Sequence, residues 1–470
     1  MWKSLTAASV TGALLAAAVP AGTAAAAGLD WEACKPGAVE QCAKLTVPLD
    51  YSKPSGRTTQ VFVAKVPARD QAHKLGALFF NPGGPGGAGG AIFAAGLADF
   101  VFPQFRDKYD LISFDPRGTG SSSQLDCGPV LRPGVPAFPK NKAQYDAMVA
   151  SSRATGQQCL KQHGDLMRNL DTTTVARDMD AIRGALGEQK FNYIGLSYGS
   201  YLGTIYAQQF PKRVGRMVVD GIVDHAQGPV KFMLDEARTM EYGFHQFAAW
   251  CDKDEACALH GQDVGKVWDA TVRKADKHPL SGPRPVTGDV MRMALPTYLP
   301  LTRMVSDNWT ALATALAKAA KGDGTDFANL SYIGNPETAY AAVSCMDLPG
   351  ELKGYADARA RLALAKAVAP RVGAAVEAWT ITAACSGWPI PPSNPWGRTP
   401  VHGAAPILIT STIHDPSTPL PGARSLAHQI DNSHLLTADT YGHTAYFNSQ
   451  CARDRITDYL LTGKMPTENC

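Results

Sequence analysis

This chain of 470 residues predicts an α/β fold, a mostly parallel sheet covered by helices, with a large helical cap insertion. Three observations carry that prediction. Short apolar runs alternate with helical spacings from residue 75 to residue 219. The alternation stops from about residue 224 to residue 399, and it resumes from 406 onward. Hydrophobic residues make up 45% and charged residues 19%, a balance that lets so long a chain fill a core. At this length, one large domain with an insertion, or two domains, is expected.

The elements follow in order. Apolar runs at 45–49 and 61–66 flank Tyr51-Ser52-Lys53-Pro54-Ser55-Gly56, which reads as strand, turn, strand. Residues 75–80 form a compact apolar strand that ends abruptly in Asn81-Pro82-Gly83-Gly84-Pro85-Gly86-Gly87. Residues 109–114 read as another buried strand, closed by Asp115-Pro116-Arg117-Gly118. Val175, Met179, Ile182 and Leu186 recur at helical spacing, with Thr172 or Thr173 as the expected cap and Gly187 as the stop. A strand at 191–196 runs straight into Ser197, a helix over 198–210 ends before Pro211, and 214–219 supplies the next strand.

Helical and irregular tracts such as 309–320 then take over, and the proline-rich stretch 389–400 marks an exit linker. A strand at 406–410, a helix at 424–430, a strand at 434–438 and a last helix near 453–461 complete the pattern. The division this implies is residues 28–223 and 401–470 as two parts of one core, with 224–400 as cap and linker.

Residues 1–27 stand apart from the fold. Lys3, the apolar stretch 5–19, Pro20 and the small residues Ala24-Ala25-Ala26-Ala27 have the make-up of a cleaved export signal. The apolar stretch is shorter than the roughly 20 residues of a spanning helix. All ten Cys follow this segment, and an even count in an exported chain reads as disulfides. No pair has C-x-x-C spacing, so a metal site is not indicated. Near neighbours are expected to pair, as Cys34 with Cys42 and Cys251 with Cys257. The net charge of +3, with no long Lys/Arg run, points away from nucleic acid and anionic membranes as partners. A secreted, extracellular monomer is expected, free of the membrane once its signal is removed, with no metal or organic cofactor.

The chemistry centres on Gly195-Leu196-Ser197-Tyr198-Gly199. Apolar strand, sharp turn and helix are the context of the nucleophile elbow of an α/β-hydrolase fold. Two glycines let strand and helix crowd together while Ser197 is held in a strained, exposed turn. A serine hydroxyl needs a base to take its proton. In this fold the partners follow as acid, then His, beyond late strands. Asp415 in His414-Asp415-Pro416 and His443 in Gly442-His443-Thr444 occupy those places. His443 is then the general base, and Asp415 orients it and stabilises the imidazolium. His414, His434, Asp439 and Asp220 are rivals by position. Backbone N–H groups of Gly84, in the Gly-rich loop, and of Tyr198 are candidates for an oxyanion hole. A phosphate cradle is not indicated, because prolines remove donors and no Lys-Ser/Thr follows.

Asn81 to Gly87, Asp115-Pro116-Arg117-Gly118-Thr119-Gly120, Gly195 to Ser200, Asp415-Pro416-Ser417-Thr418-Pro419 and Gly442-His443-Thr444 together resemble the secreted tripeptidyl aminopeptidases. These belong with the prolyl-aminopeptidase-like α/β-hydrolases. The likeness runs from about Trp31 to the C-terminus. It implies a serine exopeptidase that releases short peptides, typically three residues, from free N-termini of extracellular polypeptides. It also implies that the segment from about Pro370 onward is the family's characteristic C-terminal region. Ala88 stands where Ser is expected and Ser417 where Val is usual; neither removes a catalytic group. Recognition of an amine needs a carboxylate, because a buried ammonium must be paired. Glu236, Glu241 and Asp347 are the candidates in the cap. An esterase, a lactonase or another amide hydrolase on the same machinery is the alternative, because pocket and not fold decides substrate.

Overall fold

The computed structural model describes residues 28–300, 307–329 and 337–470; the expected export signal lies outside the described residues. One sheet contains β1 (Glu32–Ala33), β2 (Gln41–Pro48), β3 (Thr58–Val66), β4 (Ala77–Asn81), β5 (Asp110–Phe114), β6 (Phe191–Leu196), β7 (Val214–Asp220), β8 (Ile407–His414) and β9 (Ser433–Tyr441). Their spatial order is β1-β2-β3-β5-β4-β6-β7-β8-β9. β1, β2 and β3 pair antiparallel, and β3 joins β5 antiparallel. From β5 through β9 every pairing is parallel. Parallel neighbours need crossover connections, which the intervening helices provide. This is the α/β-hydrolase fold that the sequence predicts.

Both faces of the parallel strands are buried, and alternate residues serve different cores. Phe79, Tyr193, Val219 and Ile409 join one apolar cluster. Their neighbours Phe80, Ile194, Val218 and Leu408 join the other. Among the described residues, eight helices between β7 and β8, from Pro229–Lys253 to Glu377–Cys385, form the insertion. A third cluster there includes Phe232, Phe244, Trp268, Leu295, Leu316 and Trp379. The helix Glu337–Asp347 instead turns Ala339, Tyr340, Val343 and Met346 into the sheet's own core.

Two local expectations are corrected. The helix Thr172–Ala185 is capped by Asp171, whose side chain accepts from the Thr174 N–H, because the Thr172 hydroxyl is taken by Asp347. β8 runs four residues beyond the apolar stretch, to His414, because buried Ser411 and Thr412 continue the ladder opposite Thr437 and Ala438.

All ten cysteines are paired. Cys34–Cys42 and Cys251–Cys257 join near neighbours as expected, and Cys127–Cys159, Cys345–Cys385 and Cys451–Cys470 close longer loops. Among the described residues, no helix is long and apolar enough to cross a membrane.

The Asp115-Pro116-Arg117-Gly118 motif has a structural role. Buried Arg117 donates from Nε and Nη2 to Asp178 at 2.7 and 2.6 Å. Its remaining N–H groups reach the carbonyls of Pro48, Leu49 and Asn169. Tyr51 also donates to Asp178, so β2, the loop after β5 and the helix Thr172–Ala185 meet at one ion pair. Removing one charge strands the other in a dry site. Asp178→Asn is expected to cost about 3–5 kcal/mol, read as a lower urea midpoint with an unchanged m-value. An unchanged midpoint would contradict this role.

Candidate active site

The site forms at the carboxyl ends of the parallel strands, where open α/β sheets bind ligands. Ser197 follows β6 directly and has φ 57° and ψ −126°. A non-glycine residue pays for that conformation only when its surroundings over-determine it. Here the Ser197 N–H donates to the Asp220 carbonyl at 2.8 Å. Gly195 and Gly199 allow the crowding: a Cβ on Gly195 would lie 2.3 Å from the Gly199 carbonyl oxygen, and one on Gly199 2.7 Å from that of Asn81. Ser197 does not cap the helix Tyr198–Gln209 that it starts, so its hydroxyl is not consumed there.

Asp415 comes immediately after β8, and His443 two residues after β9. His443 Nδ1 lies 3.0 Å from each Asp415 carboxylate oxygen. Asp415 is fully buried and also accepts from the N–H groups of Ser417, Thr418 and Thr444 at 2.8–3.0 Å. The Thr418 hydroxyl stands 3.3 Å from His443 Nδ1. Burial pushes the Asp415 carboxyl up, but the His443 charge and these donors outweigh it and hold it below the usual carboxylate range. Burial likewise pushes the His443 imidazole down, yet Asp415, with Glu377 and Asp220 behind it, leaves its pKa raised. The backbone of His443 donates to the Pro300 carbonyl and accepts from Asn448.

The rivals have other work. Asp220 accepts from the N–H groups of Ala445 and Tyr446 at 2.8 Å, fastening the loop beyond His443, and burial pushes its carboxyl up to about 6. His414 stacks on Tyr242 with ring centroids 4.2 Å apart. His414, His434 and Asp439 do not line the cleft that contains Ser197.

That cleft, of about 670 Å³, is bounded by Ser197, His443, Gly83, Gly84, Ser417 and Glu377, with an apolar wall from Ala91 to Leu97 facing Pro296 and Pro300. A Cβ on Gly83 would lie 2.4 Å from the Leu196 carbonyl and 2.8 Å from Ser197 Cβ, so the Gly-rich loop packs directly on the elbow. The Tyr198 N–H opens a helix, where the first donors have no intrahelical partner.

The structure separates the three acids proposed for the cap. Asp347 is buried away from the cleft, where it accepts from the Thr172 N–H and hydroxyl and from Asn394, and burial pushes it up to about 7. Glu241 also lies off the cleft, accepting from the N–H groups of Arg371 and Val372 at 2.9 Å. Glu236 does not line the cleft either; it is buried and accepts from the Ala378 N–H at 2.8 Å. The acid on the cleft wall is its electrostatic neighbour Glu377, held by the Tyr340 hydroxyl at 2.7 Å. Burial raises both carboxyls, and Glu377 raises Glu236 further by like-charge repulsion.

Residues 370–470 match a family model described as TAP-like protein. A tripeptidyl aminopeptidase of Streptomyces lividans is 32% identical over 95% of this chain and 87% of its own length. The chain belongs to the tripeptidyl aminopeptidase family. The serine protease Hip1 of Mycobacterium tuberculosis is 30% identical to this chain over 90% of it and 86% of that protein. A carboxylesterase B of the same organism is 31% identical, covering 91% and 85% respectively. The expected enzyme class, a serine hydrolase, follows from membership in the tripeptidyl aminopeptidase family.

Sequence reasoning missed Glu377, which stands in no motif and begins a nine-residue helix in a tract without periodicity. A weak signal was present: an acid in the first turn of a short helix, favoured by the helix dipole.

The His443–Asp415 geometry predicts a measurable coupling. In Asp415→Asn the burial remains while the opposing charge is lost, so the His443 pKa is expected to fall. Histidine NMR titration of the two proteins checks this, and an unshifted His443 would contradict it.

Proposed function

We propose that this protein is a secreted serine exopeptidase that releases tripeptides from free N-termini of extracellular polypeptides. The observation that carries this reading is Glu377, which shares the catalytic cleft with Ser197 and His443 and is backed by buried Glu236. Two buried carboxyls, one of which raises the pKa of the other by like-charge repulsion, form a receptor for a cation, and the ammonium of a peptide N-terminus is one. Such a receptor at a fixed distance from the nucleophile measures off a short peptide, and the helical segment 224–400 covers it as a cap. The five disulfides and the signal-like leader support export.

In the mechanism, His443 removes the Ser197 proton as the oxygen attacks the scissile carbonyl, with Asp415 stabilising the imidazolium. The N–H groups of Gly84 and Tyr198 receive the oxyanion. His443 then protonates the leaving amine, and water, activated by the same imidazole, releases the peptide from Ser197. The relative named carboxylesterase B favours a second reading, ester hydrolysis on the same residues. An ester substrate gives the buried acid pair no cation to meet, which is why the peptidase reading is preferred.

The test compares Ala-Ala-Ala 4-nitroanilide with its N-acetylated form. The free amine is expected to be preferred by at least about 100-fold, the scale of a lost buried ion pair, and Ser197→Ala is expected to abolish both activities. Glu377→Gln is expected to raise KM for the free amine about tenfold or more, with a smaller change in kcat. The pH sign follows from the raised carboxyls: as pH falls through their pKa values they protonate, so KM for the free amine rises. In the same direction His443 gains its proton and kcat falls. Equal turnover of the acetylated substrate would reject the exopeptidase reading in favour of a general acyl hydrolase.

A further inference from the structure

The sequence from residue 88 to residue 98, Ala-Gly-Gly-Ala-Ile-Phe-Ala-Ala-Gly-Leu-Ala, contains no polar side chain. Its inward side is fully employed. Phe93 and Ala98 are buried, and Phe93 packs with Phe80 and Phe102. Its outward side has no such partner: Ala91, Ala95 and Leu97 are exposed, and Phe100 just beyond is 82% exposed. Val39, 64% exposed, joins them, because Val39 and Asp99 border one surface hollow and Glu40 lies beside Gly96. Three of the five large exposed hydrophobics among the described residues thus gather in one place, and clustering of this kind marks a binding surface where scattered exposure does not. Of the neighbouring charges, Asp99 is paired with Arg69 and Arg106, and Glu40 borders the patch beside Gly96.

The patch is continuous with the catalytic cleft. Ala91, Ile92, Ala95 and Leu97 line the same cavity as Ser197 and His443. We propose that this shelf, running from Ile92 over Leu97 to Phe100, binds the polypeptide on the leaving side of the scissile bond. It selects chains with apolar residues just after the cut. The direction rests on the exopeptidase reading. On the acyl side the substrate ends, and it ends at the buried pair Glu377 and Glu236. On the leaving side the chain has no fixed length and must exit where the cleft reaches solvent. Exposure increases along the shelf from half-buried Ile92 to Phe100, which marks that exit. An extended or unfolded polypeptide with apolar side chains is the partner this chemistry fits.

The test uses two hexapeptide amides, Ala-Ala-Ala-Leu-Phe-Gly and Ala-Ala-Ala-Ser-Gln-Gly, with Ala-Ala-Ala 4-nitroanilide as the control that has no amino acid on the leaving side. The wild-type kcat/KM is expected to be about tenfold higher for the apolar hexapeptide, the effect of partly burying one or two large side chains. Phe100→Ser is expected to cut that preference to about two- or threefold, and Phe100→Leu to keep most of it. Nitroanilide turnover is expected to stay the same in all three proteins. Equal kcat/KM for the two hexapeptides in the wild type would overturn the proposal. So would a preference undiminished in Phe100→Ser, or nitroanilide turnover that falls with it. A Phe100→Ser change that converts a dimer to a monomer while the peptide preference persists would assign the shelf to a second copy, and would overturn it as well. Failure of the exopeptidase reading is seen separately, as equal cleavage of the N-acetylated nitroanilide whatever residue stands at 100.

Discussion

A carboxylate without solvent must find its stabilisation inside the protein, and Asp415 imposes that requirement on everything around it. Three backbone N–H groups and one imidazole converge on its two oxygens. Two of those N–H groups come from the turn after β8 and one from the loop after β9. The two chain segments are therefore held together by the needs of one charge, and His443 is oriented as part of the same arrangement. Asp220 repeats the device one strand over. Its carboxylate accepts from Ala445 and Tyr446, while its own carbonyl receives the Ser197 N–H. Nucleophile elbow and histidine loop are thus tied to the same residue at the end of β7.

The insertion is joined to this framework through a second buried acid. Asp347, at the end of the helix Glu337–Asp347, bonds the start of the helix Thr172–Ala185 and the linker residue Asn394, and its carbonyl meets His225. Tyr340 on the same helix holds Glu377, and Cys345 is bonded to Cys385 at the far end of the helix that Glu377 begins. The two helices are clamped side by side at both ends. The carboxyl that faces the cleft is thereby fixed relative to the sheet, although it belongs to the insertion.

The alternation of apolar runs with helical spacing made the core legible, because burial on both faces of a parallel sheet leaves strands such as 191–196 almost wholly apolar. Ser197, Asp415 and His443 were legible for a related reason: each sits at a strand end, in a short motif whose glycine or proline enforces the turn. The acids of the insertion were not. Asp347, Glu241 and Glu236 look alike in sequence, and only packing shows that backbone donors claim all three away from the cleft. Glu377 has no motif, since its position depends on a long-range hydrogen bond from Tyr340 that no local pattern records. The polar continuation of β8 was missed because Ser411 and Thr412 are buried by their ladder, not by their hydrophobicity.

Ser197, activated by His443 at the mouth of the parallel sheet, is the proposed nucleophile. The most direct measurement is peptide mapping by mass spectrometry after reaction with a fluorophosphonate, which phosphonylates activated serines. One stoichiometric adduct is expected, on the peptide containing Ser197, and its loss in a folded His443→Ala variant. An adduct on another serine, or equal labelling of Ser197 without His443, would contradict it.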